Sequence, residues 1–368
     1  MKASRLFRIF LVALSISLFA QQSFGRPAPP PDSGSANAQI TLDVVVTDKS
    51  GKPQAGLQQQ DFTLLDNKAP QKILSFQAVD EPSVPAAPPV EIVLVIDTVN
   101  SGVQTVSDER LRITKYLRQN DGKLTHPTSI VVFSDTGLKN LGEPTLDGNA
   151  LVTALEGNDV IGLRTIHRAA SAEGAAENFT SSLRGLYTLA TFEQRKPGRK
   201  MVIWLSPGWP QLARSGAQMY SKGQDQLFST LVLVSTALQQ ARVTLYSIDP
   251  EGAGGSGVRN RFSYESYLKG VANANDVTPP NLSLQVLVTR SGGRVLTTGN
   301  DIASQIDDCI SDTKAFYVLT FEGIPTERPN DFHALELKID KPGLTAHTSA
   351  GYYAQPDQSS KPPEKKKN

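Results

Sequence analysis

Residues 91–102 read EIVLVIDTVNSG. A nearly unbroken apolar run ends in Asp97, and small polar residues follow at once. Such a run, bounded by turn residues, is a strand buried on both faces of a parallel sheet. Several folds use a buried strand ending in Asp-x-x-x-Ser to present oxygen ligands to a metal. Here Val99 stands between Asp97 and Ser101, where another hydroxyl is wanted. Two readings stay open: a metal site short of ligands, or Asp97 and Ser101 as hydrogen-bonding groups that cap the turn.

The same rhythm continues along the chain. TSIVVFSD, RKMVIWLSP and VTLYSIDP are further apolar strands, separated by stretches of helical spacing. That alternation predicts a mainly parallel sheet with helices on both faces. One helix is expected over SDERLRITKYLRQND, with Ser107 as its N-cap. Longer ones are expected over AENFTSSLRGLYTLATFEQRKPG and SKGQDQLFSTLVLVSTALQQAR, and a shorter one before the Gly-Gly pair of NLSLQVLVTRSGGRVLTT. In such sheets ligands sit at the carboxyl ends of the strands, near the switch in strand order. Asp97, Asp135, Ser206 and Asp249 should share that edge.

Both ends of the chain read differently. ITLDVVVTD alternates with the period of a half-buried strand, and DFTLLDN with KILSFQAV reads as a hairpin around Asp66-Asn67. AFYVLTFEG, FHALELKID and LTAHTSAGYYA have the same character near the other terminus. A few strands with one apolar face need a covering layer, so the two ends are expected to combine into one β-sandwich.

Strand–Asp-x-x-x-Ser–helix, then IVVFSD, then a basic lead-in to MVIWLSPG resembles a von Willebrand factor type A domain. With VVVTDKSGKPQAGLQQQDFTLLDNKAPQKILSF before it and LKIDKPGLTAHTSAGYYA after it, the chain resembles the exported VWFA-related family typical of Acidobacteria. The resemblance implies a Rossmann-like α/β fold: a mainly parallel six-stranded sheet with helices on both faces and a short antiparallel edge strand near LKNLGEP. It also implies a binding or adhesion module, not an enzyme. Type A domains often hold a metal through hydroxyls and carboxylates, because Mg²⁺ takes six oxygens and leaves one for a partner's carboxylate. Carried onto this chain, the metal set is Asp97, Ser101 and, by a loose match, Thr180. Val99 replaces one hydroxyl and Pro207 the second carboxylate. The site is therefore degenerate, with no cofactor expected beyond weakly held Mg²⁺.

The implied organisation is a signal peptide (1–25), a linker (26–37), the first part of the sandwich (38–80), a Pro-rich linker (81–89), the type A domain (90–313), the second part of the sandwich (314–354) and a basic tail (355–368). Lys2, Arg5 and Arg8 before a short apolar run carry the signal reading, and with it export to the periplasm or exterior. The 368 residues are 39% hydrophobic with a net charge of +1, which gives no electrostatic case for nucleic acid. A single cysteine, Cys309, excludes an intrachain disulfide and reads as a buried helix residue. None of the common nucleophile, phosphate-loop or zinc motifs is present, and the four histidines are scattered in sequence as surface or turn residues.

The segment from Glu251 to Asn281 is far longer than an ordinary strand–helix connection. Arg259, Arg261, Phe262, Tyr264 and Tyr267 interleave charge and aromatic surface as protein-binding patches do, or else pin a short helix to the body. Trp209 is either a packed loop anchor or another partner contact. The resulting expectation is an exported module that recognises a protein partner, of unknown identity, through the loops at the carboxyl edge. A hydrolase with an unrecognised site at that edge, or a purely structural envelope protein, are the alternatives.

Overall fold

The structure, a computed structural model, describes residues 39–80, 90–157, 172–209, 221–252, 263–297 and 301–356. The signal-peptide and tail assignments, Arg259, Arg261 and Phe262 lie outside the described residues. In chain order come β1 (Gln39–Thr47), β2 (Phe62–Asp66), β3 (Ala69–Gln71), β4 (Ile73–Asp80), β5 (Val90–Asp97), α1 (Val103–Leu117), β6 (Lys123–Ser134), β7 (Gly137–Asn140) and β8 (Thr145–Asp147). Then follow α2 (Gly148–Glu156), α3 (Ala172–Glu193), β9 (Arg199–Leu205), α4 (Ser221–Gln240), β10 (Val243–Ile248), α5 (Leu284–Arg290), β11 (Val295–Leu296) and α6 (Ile302–Ile310). The chain closes with β12 (Ala315–Glu322), β13 (Asp331–Ile339), β14 (Thr345–His347) and β15 (Gly351–Ala354).

The central sheet runs β11-β10-β9-β5-β6-β7. Every neighbouring pair is parallel except β6 with β7. The expected six strands are in fact seven, because β8 also pairs antiparallel with the early part of the long β6. Strand order reverses between β5 and β9, so the carboxyl end of β5 lies at the switch point. Ile92, Leu94 and Ile96 face one apolar cluster while Val93 and Val95 face another, which is why the run is apolar at every position.

Two four-stranded sheets, β14-β1-β12-β4 and β15-β13-β2-β3, are each woven from both chain ends. They share a core of residues such as Leu42, Val44, Leu64, Tyr317, Leu319 and Tyr352. The first sheet is covered on its other face too: Val45, Val79, Phe316 and Val318 join the cluster of Ile92 and Leu94. This double burial explains the almost continuous apolar run of β12, and each such side chain contributes about 1.5–3 kcal/mol.

Three local readings need correction. The hairpin at Asp66 exists, with Asn67 and Lys68 at φ 47° and 71°, but its second arm is only β3. The chain then crosses to the other sheet, where β4 pairs with β12. Helix α1 begins at Val103 after Gly102; Ser107 is inside it, its hydroxyl donating to Val103 O at 2.9 Å. His333 is not a surface residue: it is 5% exposed, with Nδ1 2.7 Å from Asp66 Oδ1 and stacked on Tyr352.

The Gly-Gly stop after α5 has a steric reason. Gly292 has φ +89°, and a Cβ there would lie 2.7 Å from Thr348 Cα. Only glycine permits this approach of the central domain to the β14–β15 connection.

Candidate functional site

At the carboxyl end of β5, Asp97 is fully buried. Oδ1 accepts the backbone N–H groups of Val99 and Asn100, both at 3.0 Å. Oδ2 accepts Asn100 Nδ2 at 2.8 Å and the indole Nε1 of Trp204 at 2.9 Å. The Ser206 hydroxyl also bonds the carboxylate. Burial raises the Asp97 pKa, and the Trp204, Asn100 and Ser206 hydrogen bonds act against that rise. The two backbone bonds make an Asx turn, which tightens the chain after the strand and sets where α1 begins.

Around this turn a polar network reaches α3. Asn100 Nδ2 also donates to Ser182 Oγ (2.9 Å), Ser182 Oγ donates to Asn178 O (2.8 Å), and Asn178 Nδ2 donates to Val99 O (3.2 Å). Asn178 and Ser182 are one helical turn apart, so one face of α3 clamps the turn. Asn100, Asn178 and Trp204 were not singled out from the sequence. A tryptophan at the centre of a buried strand was the available signal, since its N–H must find an acceptor.

The three metal-ligand candidates do not converge. Asp97 is surrounded by protein donors. Ser101, 8% exposed, turns toward Glu109 of α1, with Oγ 3.4 Å from Oε1. Thr180 is exposed on α3. A dication would have to displace the Trp204 indole and the Asx-turn amides to reach Asp97, so this donor set does not fit one. Among the described residues no group of three or more His, Cys, Asp or Glu side chains is placed to hold a metal ion.

Glu109 is fully buried with Oε2 unpartnered. Burial first, then the nearby carboxylates of Asp97, Asp249 and Glu251, raises its pKa well above the ordinary value. Trp209 is 3% exposed and packs edge-on against Trp204 with ring centroids 5.7 Å apart. It is a packed anchor, not an exposed partner contact. Tyr264 and Tyr267 are half-buried on a short 3₁₀ turn, and the Tyr267 carbonyl accepts Asn281 Nδ2 at 3.3 Å. Burial and then Glu265 raise the Tyr264 pKa, against a bond to Thr289 of α5.

Above the Asp97 turn lies a cavity of about 550 Å³. Val99 and Asp135 border it from the loops after β5 and β6, and Glu173, Asn178, Thr180 and Ser181 line it from α3. The apolar Val99 thus lies between the sealed carboxylate and an open hollow beside the switch point.

By strand order and edge, the class defined is a doubly wound α/β domain inserted between paired β-sheets. The sequence matches no family model and no curated protein. Among solved structures it is similar to the manganese-loaded TRAP protein of Plasmodium vivax: 10% identity, 77% of this chain and 98% of that chain, TM-score 0.29. It is also similar to the SpRpn10 VWA domain (14%, 45% and 89%, TM-score 0.22) and to the pilus adhesin SpaC from Lactobacillus rhamnosus GG (9%, 88% and 50%, TM-score 0.33). The chain thus spans half the length of the SpaC chain. At these scores the likenesses assign neither fold nor function. Among the described residues no helix is long and apolar enough to cross a membrane.

Proposed function

We propose that this chain is an exported, non-enzymatic binding module of the von Willebrand type A kind. Its central domain is carried on a β-sandwich built from both chain ends, and it captures a protein partner at the carboxyl edge without a metal. One observation carries the reading. Asp97, the residue a metal-dependent site needs most, is saturated by protein donors, while an open cavity remains directly above it. The edge keeps the shape of a recognition site and has turned its metal ligand into a structural brace. The enzyme reading lacks a comparable feature: among the described residues of this edge, the carboxyls with raised pKa, Asp97 and Glu109, are both sealed from solvent.

A photoreactive side chain placed at Thr180 tests this, with the same group at Glu336, exposed on β13, as control. Partner adducts should form from position 180, not from 336, and should be indifferent to chelator. Adducts that vanish on chelation, or that form equally from both positions, would overturn the proposal.

A further inference from the structure

We propose that the outer edge of β4 pairs with β4 of a second copy of this chain, antiparallel, and joins two sandwiches through one continuous sheet. In the sheet β14-β1-β12-β4, β12 is the only strand neighbour of β4. The strand runs for 8 residues, Ile73–Asp80, whereas β3, β7, β11, β14 and β15 at the other sheet ends have two to four. Alternate residues of a strand turn their N–H and C=O to opposite sides, so about half of these groups face away from β12. Among the described residues, none of the outward groups from Ser75 to Val79 has a backbone partner. Long uncovered edges of this kind template pairing with another chain.

Proteins guard such edges with charge, proline and bulges. Here the guards stand at one end. Thr320 pairs with Ser75 and Phe321 with Ile73, so Leu74 is an extra, bulged residue, and it is 44% exposed. Lys72 lies just before the strand, and Gln59 Nε2 donates to Ile73 O at 3.3 Å. From Ser75 to Val79 there is no charge, proline or bulge. Phe76 and Ala78 are half-buried against the sandwich core, with Phe76 stacked on Tyr317 at 5.7 Å between ring centroids. A further strand would extend that core over both.

The occupant follows from the strand itself. Antiparallel self-pairing about a two-fold axis at Gln77 sets Phe76 opposite the second copy's Ala78, large against small on the sandwich face, and Ser75 opposite Val79. An axis at Phe76 would run into the Leu74 bulge immediately beyond Ser75, and an axis at Ala78 would set Phe76 against Asp80. Charge selects the same direction. Each exposed Lys72 comes to lie toward the acidic Asp80 end of the other strand, whereas an in-register parallel pairing would bring Lys72 to Lys72. A ladder this short buries little area, so the dimer is a weak one. It would present two carboxyl edges in one particle and raise avidity without a new contact. That consequence rests on the proposed binding role; the pairing itself does not.

Sedimentation of the full chain from micromolar to millimolar concentration should show a monomer–dimer equilibrium. Gln77 is exposed, so Gln77→Lys and Gln77→Glu should keep the fold, which circular dichroism checks. Each sets like charges against each other at the axis and should weaken the dimer about tenfold or more; mixing the two variants should restore it, since opposite charges then meet. Hydrogen exchange on the wild type gives a second reading: alternate amides between Ser75 and Val79 should slow as concentration rises. A chain that stays monomeric at millimolar concentration, a dimer indifferent to both variants, or a mixture that does not recover would overturn the proposal. So would β4 amides protected only when a different protein is bound, because the edge would then belong to that partner.

Discussion

Asp97 and Asp312 are both buried carboxylates, and burial raises the pKa of each. They are held in opposite ways. Asp312 lies just after α6 and faces a cation: Arg294 Nε and Nη2 reach its two oxygens at 3.0 Å each, and the Tyr246 hydroxyl adds a bond at 2.9 Å. Asp97 has neutral N–H and O–H dipoles around it and, among the described residues, no cation in contact. The first arrangement ties β10, the approach to β11 and the end of α6 into one knot beneath β12. The second shapes a single turn. A fork-shaped ion pair fastens distant segments, whereas an array of amides fixes local backbone geometry.

The largest effect expected from breaking this pair of sites is Asp312→Ala. It leaves the fully buried Tyr246 hydroxyl and the Arg294 guanidinium without their acceptor, at a cost of about 3–5 kcal/mol. The lower end of that range applies, because the Arg294 side chain is 28% exposed and can turn to water. Asp97→Ala should cost somewhat less, about 1–3 kcal/mol in all, set by the most deeply buried donor left unpaired, Trp204 Nε1, because the turn amides and the Asn100 and Ser206 side chains can find other acceptors. Urea unfolding of both variants measures the contrast. If Asp97→Ala is neutral while Asp312→Ala is severe, the amide array does not brace the turn.

Much of this contrast was hidden in the sequence for a physical reason. Strands β5, β6, β9 and β10 are legible because double burial writes an unbroken apolar run, and the Gly-Gly stop is legible because only glycine fits there. The crossing of β4 is not, since nothing local distinguishes a hairpin arm of three residues from one of eight. The partners of Asp97 are equally silent. Trp204 is more than 100 residues away in sequence, and Asn178 reaches the turn only once α3 has packed. His333 shows the same limit: its partner Asp66 lies at the other end of the chain. Hydrophobic period reports which face is buried; it does not report which polar atoms meet there.

A smaller effect of opposite sign is expected at Glu109. Its folded-state pKa is raised, so the native state holds a proton that the unfolded chain has released above the ordinary glutamate value of 4.5. The unfolded state then binds fewer protons, and stability from this group falls as pH rises from that value through the folded pKa. Glu109→Gln removes the titration. The variant should be close to wild type near pH 4 and more stable than wild type near pH 8, with a gain smaller than either aspartate loss. The gain is limited because the new amide has only Ser101 Oγ to receive its N–H groups. Melting curves across that range check the sign, and a variant that loses stability as pH rises relative to wild type would contradict it.

The smallest expected effect sharpens the comparison at the point where the sequence raised its question. Val99→Ser restores the hydroxyl missing from Asp-x-x-x-Ser. Val99 is 4% exposed and packs in the cluster of Phe133, Trp204 and Trp209, so losing its methyl groups should cost about 1–2 kcal/mol. If the missing hydroxyl were the obstacle to a metal, this variant would bind Mg²⁺ or Mn²⁺ detectably better. The hydrogen bonds of Asp97 say otherwise. Its oxygens accept from Val99, Asn100 and Trp204 whichever side chain occupies position 99, because two of those bonds come from the backbone and one from a buried indole. Pro207 also stands where the resemblance to a type A domain would place a second carboxylate. Calorimetry with millimolar Mg²⁺ and Mn²⁺ should therefore give no stoichiometric binding to wild type or Val99→Ser. Tight binding gained with the single hydroxyl would show that Asp97 exchanges its protein donors for a cation, and would return this edge to metal-dependent recognition.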